Sequence, residues 1–172
     1  MPGGAGARVM RSTKIIILTV AFGIAFLLSA ASHAGAGVTV KRIDEATLDS
    51  LMQAKDNRMM VSFMAAWCGP CVDELPVLNK LYQQYVSRGL RLIGISIDLE
   101  GPEAMQPIVN GLEIDFPVYW YGEKAVAKFQ LTAIPVLVFI RQGQVVERIY
   151  GRRSREFLEK KIRLFFDGSI ND

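Results

Sequence analysis

Two periodicities of apolar residues divide this chain into elements. Residues 59–64 (Met-Met-Val-Ser-Phe-Met), 90–97 (Leu-Arg-Leu-Ile-Gly-Ile-Ser-Ile) and 135–140 (Pro-Val-Leu-Val-Phe-Ile) are short, largely apolar runs. Each has the pattern of a strand buried in a sheet. Elsewhere the spacing becomes helical. Val72, Leu75, Leu78, Leu81, Tyr82 and Tyr85 recur at three- and four-residue intervals, which predicts an amphipathic helix running to about Ser87 and ended by Gly89. Pro76 inside it is expected to kink the helix and remove one backbone hydrogen bond. Asp44 suits the N-cap of a helix carrying Leu48, Leu51 and Met52, and Ser154 that of a last helix carrying Phe157, Leu158, Ile162 and Phe165. Between these lie a lead-in at 38–40, a helix over 103–112 broken by Pro107, a strand near 116–119 and a helix over 123–130. Gln142-Gly143 predicts a tight turn joining 135–140 to 145–150 as a hairpin. Strands alternating with helices, then a hairpin and a closing helix, make an α/β fold: a central mixed β-sheet flanked by helices.

The 172 residues, 51% of them hydrophobic, are enough for one compact domain with a core and too apolar for a disordered chain. The net charge of +3 arises at the N-terminus. Arg8, Arg11 and Lys14 are the only charges in residues 1–36, so 17 basic residues remain to balance all 17 acids. The basic balance therefore gives no support for a nucleic-acid partner. Behind those three charges, residues 15–31 form an apolar or small run of 17, followed by Ser32-His33-Ala34-Gly35-Ala36. Small residues stand at −3 and −1 for cleavage after Ala34 or Ala36, the layout of a secretory signal peptide. The run is long for a signal and short for a membrane span, so an uncleaved N-terminal anchor is the competing assignment. Met10 offers a second start. No Cys near the junction marks a lipid anchor, and Arg8 and Arg11 are not a twin-arginine pair. Residues 1–36 are thus expected to be a leader or anchor and 37–172 an exported domain.

The chemistry is narrow. The only His, His33, lies in the leader, and the only cysteines are Cys68 and Cys71. That excludes Cys-His or Ser-His couples in the exported part and any four-thiolate metal site within one chain. Cys68-Gly69-Pro70-Cys71 falls between a predicted strand and a predicted helix. There Cys68 meets unpaired N–H groups and the positive end of the helix dipole, which favour its thiolate. Cys71 sits one turn further in, within bonding reach and more protected. Such a pair cycles between dithiol and disulfide with little backbone movement. Haem attachment would need His after Cys71, where Val72 stands. A purely structural disulfide across two residues closes too small a loop to stabilise much.

Ala66-Trp67-Cys68-Gly69-Pro70-Cys71 resembles the active site of the thioredoxin superfamily. The longer stretch to Glu74-Leu75-Pro76 is similar to its exported TlpA/ResA/CcmG-type thiol-disulfide oxidoreductases, as are Gly94-Ile95-Ser96-Ile97-Asp98 and Ile134-Pro135. The similarity covers about residues 42–166. It implies a thioredoxin-like fold with a strand–helix insertion over 101–130, before the strand that opens on a cis-proline, Pro135. It implies that Cys68 and Cys71 are the catalytic pair, with the Cys68–Cys71 disulfide as redox centre and no other cofactor or metal. Trp67, Gly69, Pro70 and Pro135 would line the substrate site, and the backbone of Ile134 would pair with the substrate. The partners implied are protein disulfides, apocytochrome c among them, and a membrane thiol transporter as electron donor. The location implied is the periplasm or outer membrane face of a bacterium.

Two departures bear on this. Ala133 stands where relatives often have Gly. Ser62 stands where thioredoxins commonly have a buried Asp, which leaves Glu74, one turn beyond Cys71, as the candidate proton carrier; Asp73 is expected to point away. A peroxiredoxin-like peroxidase would need Thr or Ser where Ala65 stands. A copper-binding assembly protein of the same fold normally uses a distal His.

Overall fold

The computed structural model describes residues 37–55 and 58–170; the leader assignment lies outside them. Six strands form one sheet in the order β1-β4-β3-β2-β5-β6. They are β1 (Lys41–Arg42), β2 (Arg58–Met64), β3 (Leu90–Ser96), β4 (Val118–Trp120), β5 (Val136–Arg141) and β6 (Gln144–Tyr150). β1 to β4 run parallel, while β5 is antiparallel to β2 and β6 to β5. The sheet is mixed, as the pattern predicts. β2 and β3 are each buried at all but one position, which explains why their sequences are continuous rather than alternating.

The described helices are α1 (Glu45–Gln53), α2 (Gly69–Tyr85), α3 (Pro102–Gly111), α4 (Lys124–Phe129) and α5 (Arg155–Asp167). Asp44 caps α1 by accepting from Thr47 N–H, and Ser154 caps α5 by accepting from Phe157 N–H. Alternation along β2 and β5 sorts side chains between two faces. Phe63 packs against Phe129 of α4 (ring centroids 4.8 Å) and Phe139 against Phe165 of α5 (5.3 Å).

The lead-in at 38–40 precedes the sheet, whose pairing starts at Lys41, beside Tyr119. One helix differs from the sequence reading. α3 does not break at Pro107 but runs through it. Met105 and Val109 on either side of Pro107 are buried, and their packing outweighs the single lost bond. Of the apolar residues of the last helix, Phe157 is 38% exposed, whereas Leu158, Ile162 and Phe165 are buried.

Candidate redox site

β2 ends at Met64, and the next three residues deliver Cys68 to the N-terminus of α2. Cys68 is the N-cap: its carbonyl accepts from Cys71 N–H (2.9 Å) and Val72 N–H (3.1 Å). Its Sγ also accepts from Cys71 N–H at 3.3 Å. Pro70 stands in the first turn of the helix, where a missing N–H costs nothing. Cys68 and Cys71 are joined in a disulfide, with Cα atoms 5.2 Å apart. Both are largely buried; Cys68 is 6% exposed and Cys71 2%. Trp67 beside them is 66% exposed, and Gly69 and Pro70 are exposed as well.

The loop is tied from below by Asp98, which follows β3 and is fully buried. Its two carboxylate oxygens accept from Ala66 N–H (2.9 and 3.1 Å), and Oδ2 accepts from the Ser96 hydroxyl (2.7 Å). Its carbonyl accepts from the Trp120 indole N–H (2.7 Å). The sequence singles out Asp98 only as part of a motif. That it grips the chain two residues before Cys68 is a contact across 32 residues, without a local signal.

Ile134–Pro135 is a cis peptide bond. Phe63 is paired with Val136, so Pro135 sits level with Met64, at the end of the sheet that carries the cysteines. Pro135 is buried and Ile134 half-buried. Gly151, after β6, donates its N–H to the Pro135 carbonyl (2.8 Å).

Glu74 is buried on α2. One carboxylate oxygen accepts from Arg153 N–H (2.8 Å); the other, Oε2, is buried with no partner among the described residues. Burial pushes its carboxyl above the usual range, opposed by the Arg153 N–H and by the charges of Arg152 and Arg153. Asp73 points away, as expected, reaching Arg152 at 3.5 Å with more than half its side chain exposed. Ser62 is buried under the site and has no carboxyl to offer. The Arg153 contact went unforeseen, because a main-chain N–H carries no signature in sequence. Chemically, two sulfurs in bonding range at a helix terminus, with one buried carboxyl on the next turn, suit thiol-disulfide exchange coupled to proton movement.

Comparison with known proteins gives three kinds of likeness. The AhpC/TSA family pattern matches residues 36–149. Thiol-disulfide oxidoreductase ResA of Bacillus thuringiensis (strain Al Hakam) is 32% identical over 111 residues, which cover 63% of this chain and 64% of that protein. This chain thus spans under two thirds of that relative's length. Among solved structures, StoA from Bacillus subtilis superposes with a TM-score of 0.55 at 18% identity, covering 62% of this chain and 82% of that one. A yeast mitochondrial 1-Cys peroxiredoxin does so with 0.52 at 23% identity, covering 72% and 92%. The structural likenesses establish a thioredoxin-like fold and do not choose between the two chemistries.

Proposed function

We propose, from the premise that this chain belongs to the AhpC/TSA family, that it is a thiol-disulfide oxidoreductase that reduces protein disulfides outside the cytoplasmic membrane of a bacterium. The observation that carries this is the Cys68–Cys71 disulfide at the N-terminus of α2. In the reduced protein the Cys68 thiolate attacks one sulfur of a substrate disulfide and releases the other as a thiolate. Cys71, once deprotonated, attacks Cys68 Sγ. That expels the second substrate sulfur and leaves the internal disulfide, so two electrons pass from the dithiol to the substrate. Glu74 holds or takes the proton of Cys71. Its raised carboxyl is better matched to a thiol than an ordinary one. The Ile134 backbone and Pro135, with Trp67, Gly69 and Pro70, flank the bound segment. A membrane thiol transporter recharges the pair, and apocytochrome c is a candidate substrate on the resemblance to ResA. The redox disulfide serves in place of a separate cofactor.

Peroxide reduction is disfavoured by Ala65, which is buried and brings no hydroxyl to the site. Trapping tests the reading. A Cys71→Ser variant is expected to accumulate mixed disulfides through Cys68, and Cys68→Ser to accumulate few. Measuring the reduction potential of the wild-type pair then gives the direction of electron flow. Peroxide turnover with no disulfide reduction would overturn the proposal, as would alkylation of Cys71 ahead of Cys68 for the order of attack.

A further inference from the structure

The end of the sheet that carries the cysteines is polarised along its rim. The strand order sets four segments side by side there: Leu99 and Glu100 after β3, residues 67–70 after β2, Ile134 and Pro135 before β5, and residues 151–154 after β6. The last segment is Gly-Arg-Arg-Ser, with Arg155 following. It is pinned on both sides by its main chain. Gly151 N–H donates to Pro135, and Arg153 N–H to Glu74, each at 2.8 Å. Two arginines are thereby held against the turn of α2 next to Cys71.

Neither guanidinium is consumed where it stands. Arg152 reaches Asp73 at 3.5 Å, in a pair whose side chains are 57% and 63% exposed; such a pair is readily exchanged in water. Arg153 is exposed, gives one N–H to the Tyr150 carbonyl (2.9 Å) and lies over the Phe157 ring. An arginine has five donors to offer. The far side of the rim is different. Leu99 is 69% exposed and Trp67 66% exposed, with the exposed Glu100 beside them.

We infer that this rim selects among disulfides by charge. On the reading that Cys68 exchanges with protein disulfides, the favoured substrate carries carboxylates beside its disulfide, over Arg152 and Arg153, and apolar residues over Trp67 and Leu99. Asp73 is the internal stand-in: it occupies Arg152 in the free protein, and a substrate carboxylate replaces it. The substrate class is a polypeptide with an acidic-flanked disulfide. The preference acts chiefly on the association rate and is screened by salt.

The test uses the reduced full chain and three disulfide peptides that differ only in two residues beside the bridge: Asp-Asp, Ser-Ser or Lys-Lys. At about 10 mM salt the second-order rate constants are expected to fall in that order, by about fivefold from first to last, and to converge at about 0.5 M. Asp73→Asn should widen the spread. Arg152→Glu with Arg153→Glu should invert the order. Arg152→Glu alone, at an exposed position, should narrow it and keeps the test readable if the double variant does not fold. Equal wild-type rates for the three peptides, or an order that survives the reversal, would overturn the inference while leaving the exchange reading intact. Reduction of none of them by a protein with both thiols titratable would sink that reading, and the inference with it.

Discussion

Glu74 has its two oxygens in different situations, and that sets its pH behaviour. Oε1 is held by Arg153 N–H, while Oε2 is buried without a partner among the described residues. Ionising the group is therefore harder in the folded protein than in the unfolded chain. Below the ordinary carboxylate range both states are protonated and no penalty arises. As pH rises past that range the unfolded chain releases the proton first, so stability falls towards the raised folded value. Glu74→Gln removes the titration and can still accept from Arg153. In urea unfolding the variant is expected to gain on the wild type as pH rises from the ordinary carboxylate range towards the raised folded value. Parallel profiles would mean that burial does not penalise the charge. The same variant should slow the release of mixed disulfides by Cys71, while Asp73→Asn should not, because the exposed Asp73 lies on Arg152.

At the scale of elements, the β5–β6 hairpin was legible in two letters, Gln142-Gly143, but its cost was not. Both residues have positive φ, 53° and 77°, the handedness that suits the twist of a two-residue hairpin. A Cβ on Gly143 would stand 2.9 Å from the carbonyl oxygen of Gln53, at the end of α1. Gly143→Ala therefore meets both an unfavourable φ and a backbone atom that cannot swing aside, and is expected to cost about 1–3 kcal/mol. Gln142→Asn should do the reverse, gaining up to about 1 kcal/mol, because Asn tolerates the left-handed region better. Urea midpoints of the two variants check both signs. α3 shows the limit of local rules. Pro107 reads as a break, yet buried Met105 and Val109 carry the helix past it.

For the whole molecule, the matter to test is where it works. Among the described residues no helix is long and apolar enough to cross a membrane, and the leader assignment rests on residues 1–36 alone. N-terminal sequencing of protein from the envelope fraction is expected to begin at Gly35 or Gly37. A chain that keeps Met10 in the envelope would favour the anchor, and a cytoplasmic chain starting at Met1 or Met10 would reject export. The balance of charge over residues 37–172 also hides a local asymmetry. Residues remote in sequence, such as Asp73 and Arg152, are neighbours on the rim, so overall charge says nothing about that surface.

The sequence alone was enough to identify what local chemistry dictates. Short apolar runs bounded by turn residues have the pattern of buried strands in a covered sheet, Asp44 and Ser154 carry the oxygen that a helix start needs, and a Cys-x-x-Cys between strand and helix puts one sulfur at the helix terminus. These depend on residues a few positions apart. The tertiary structure decided what depends on distant ones. Asp98 holds the loop before Cys68 from 32 residues away, and Arg153 presents a backbone N–H to Glu74 across 79. Only folding could decide that Glu74 is buried with one oxygen unpaired among the described residues while its neighbour Asp73 is solvated. Burial and main-chain partners are set by what packs around a side chain, and a linear pattern does not encode them.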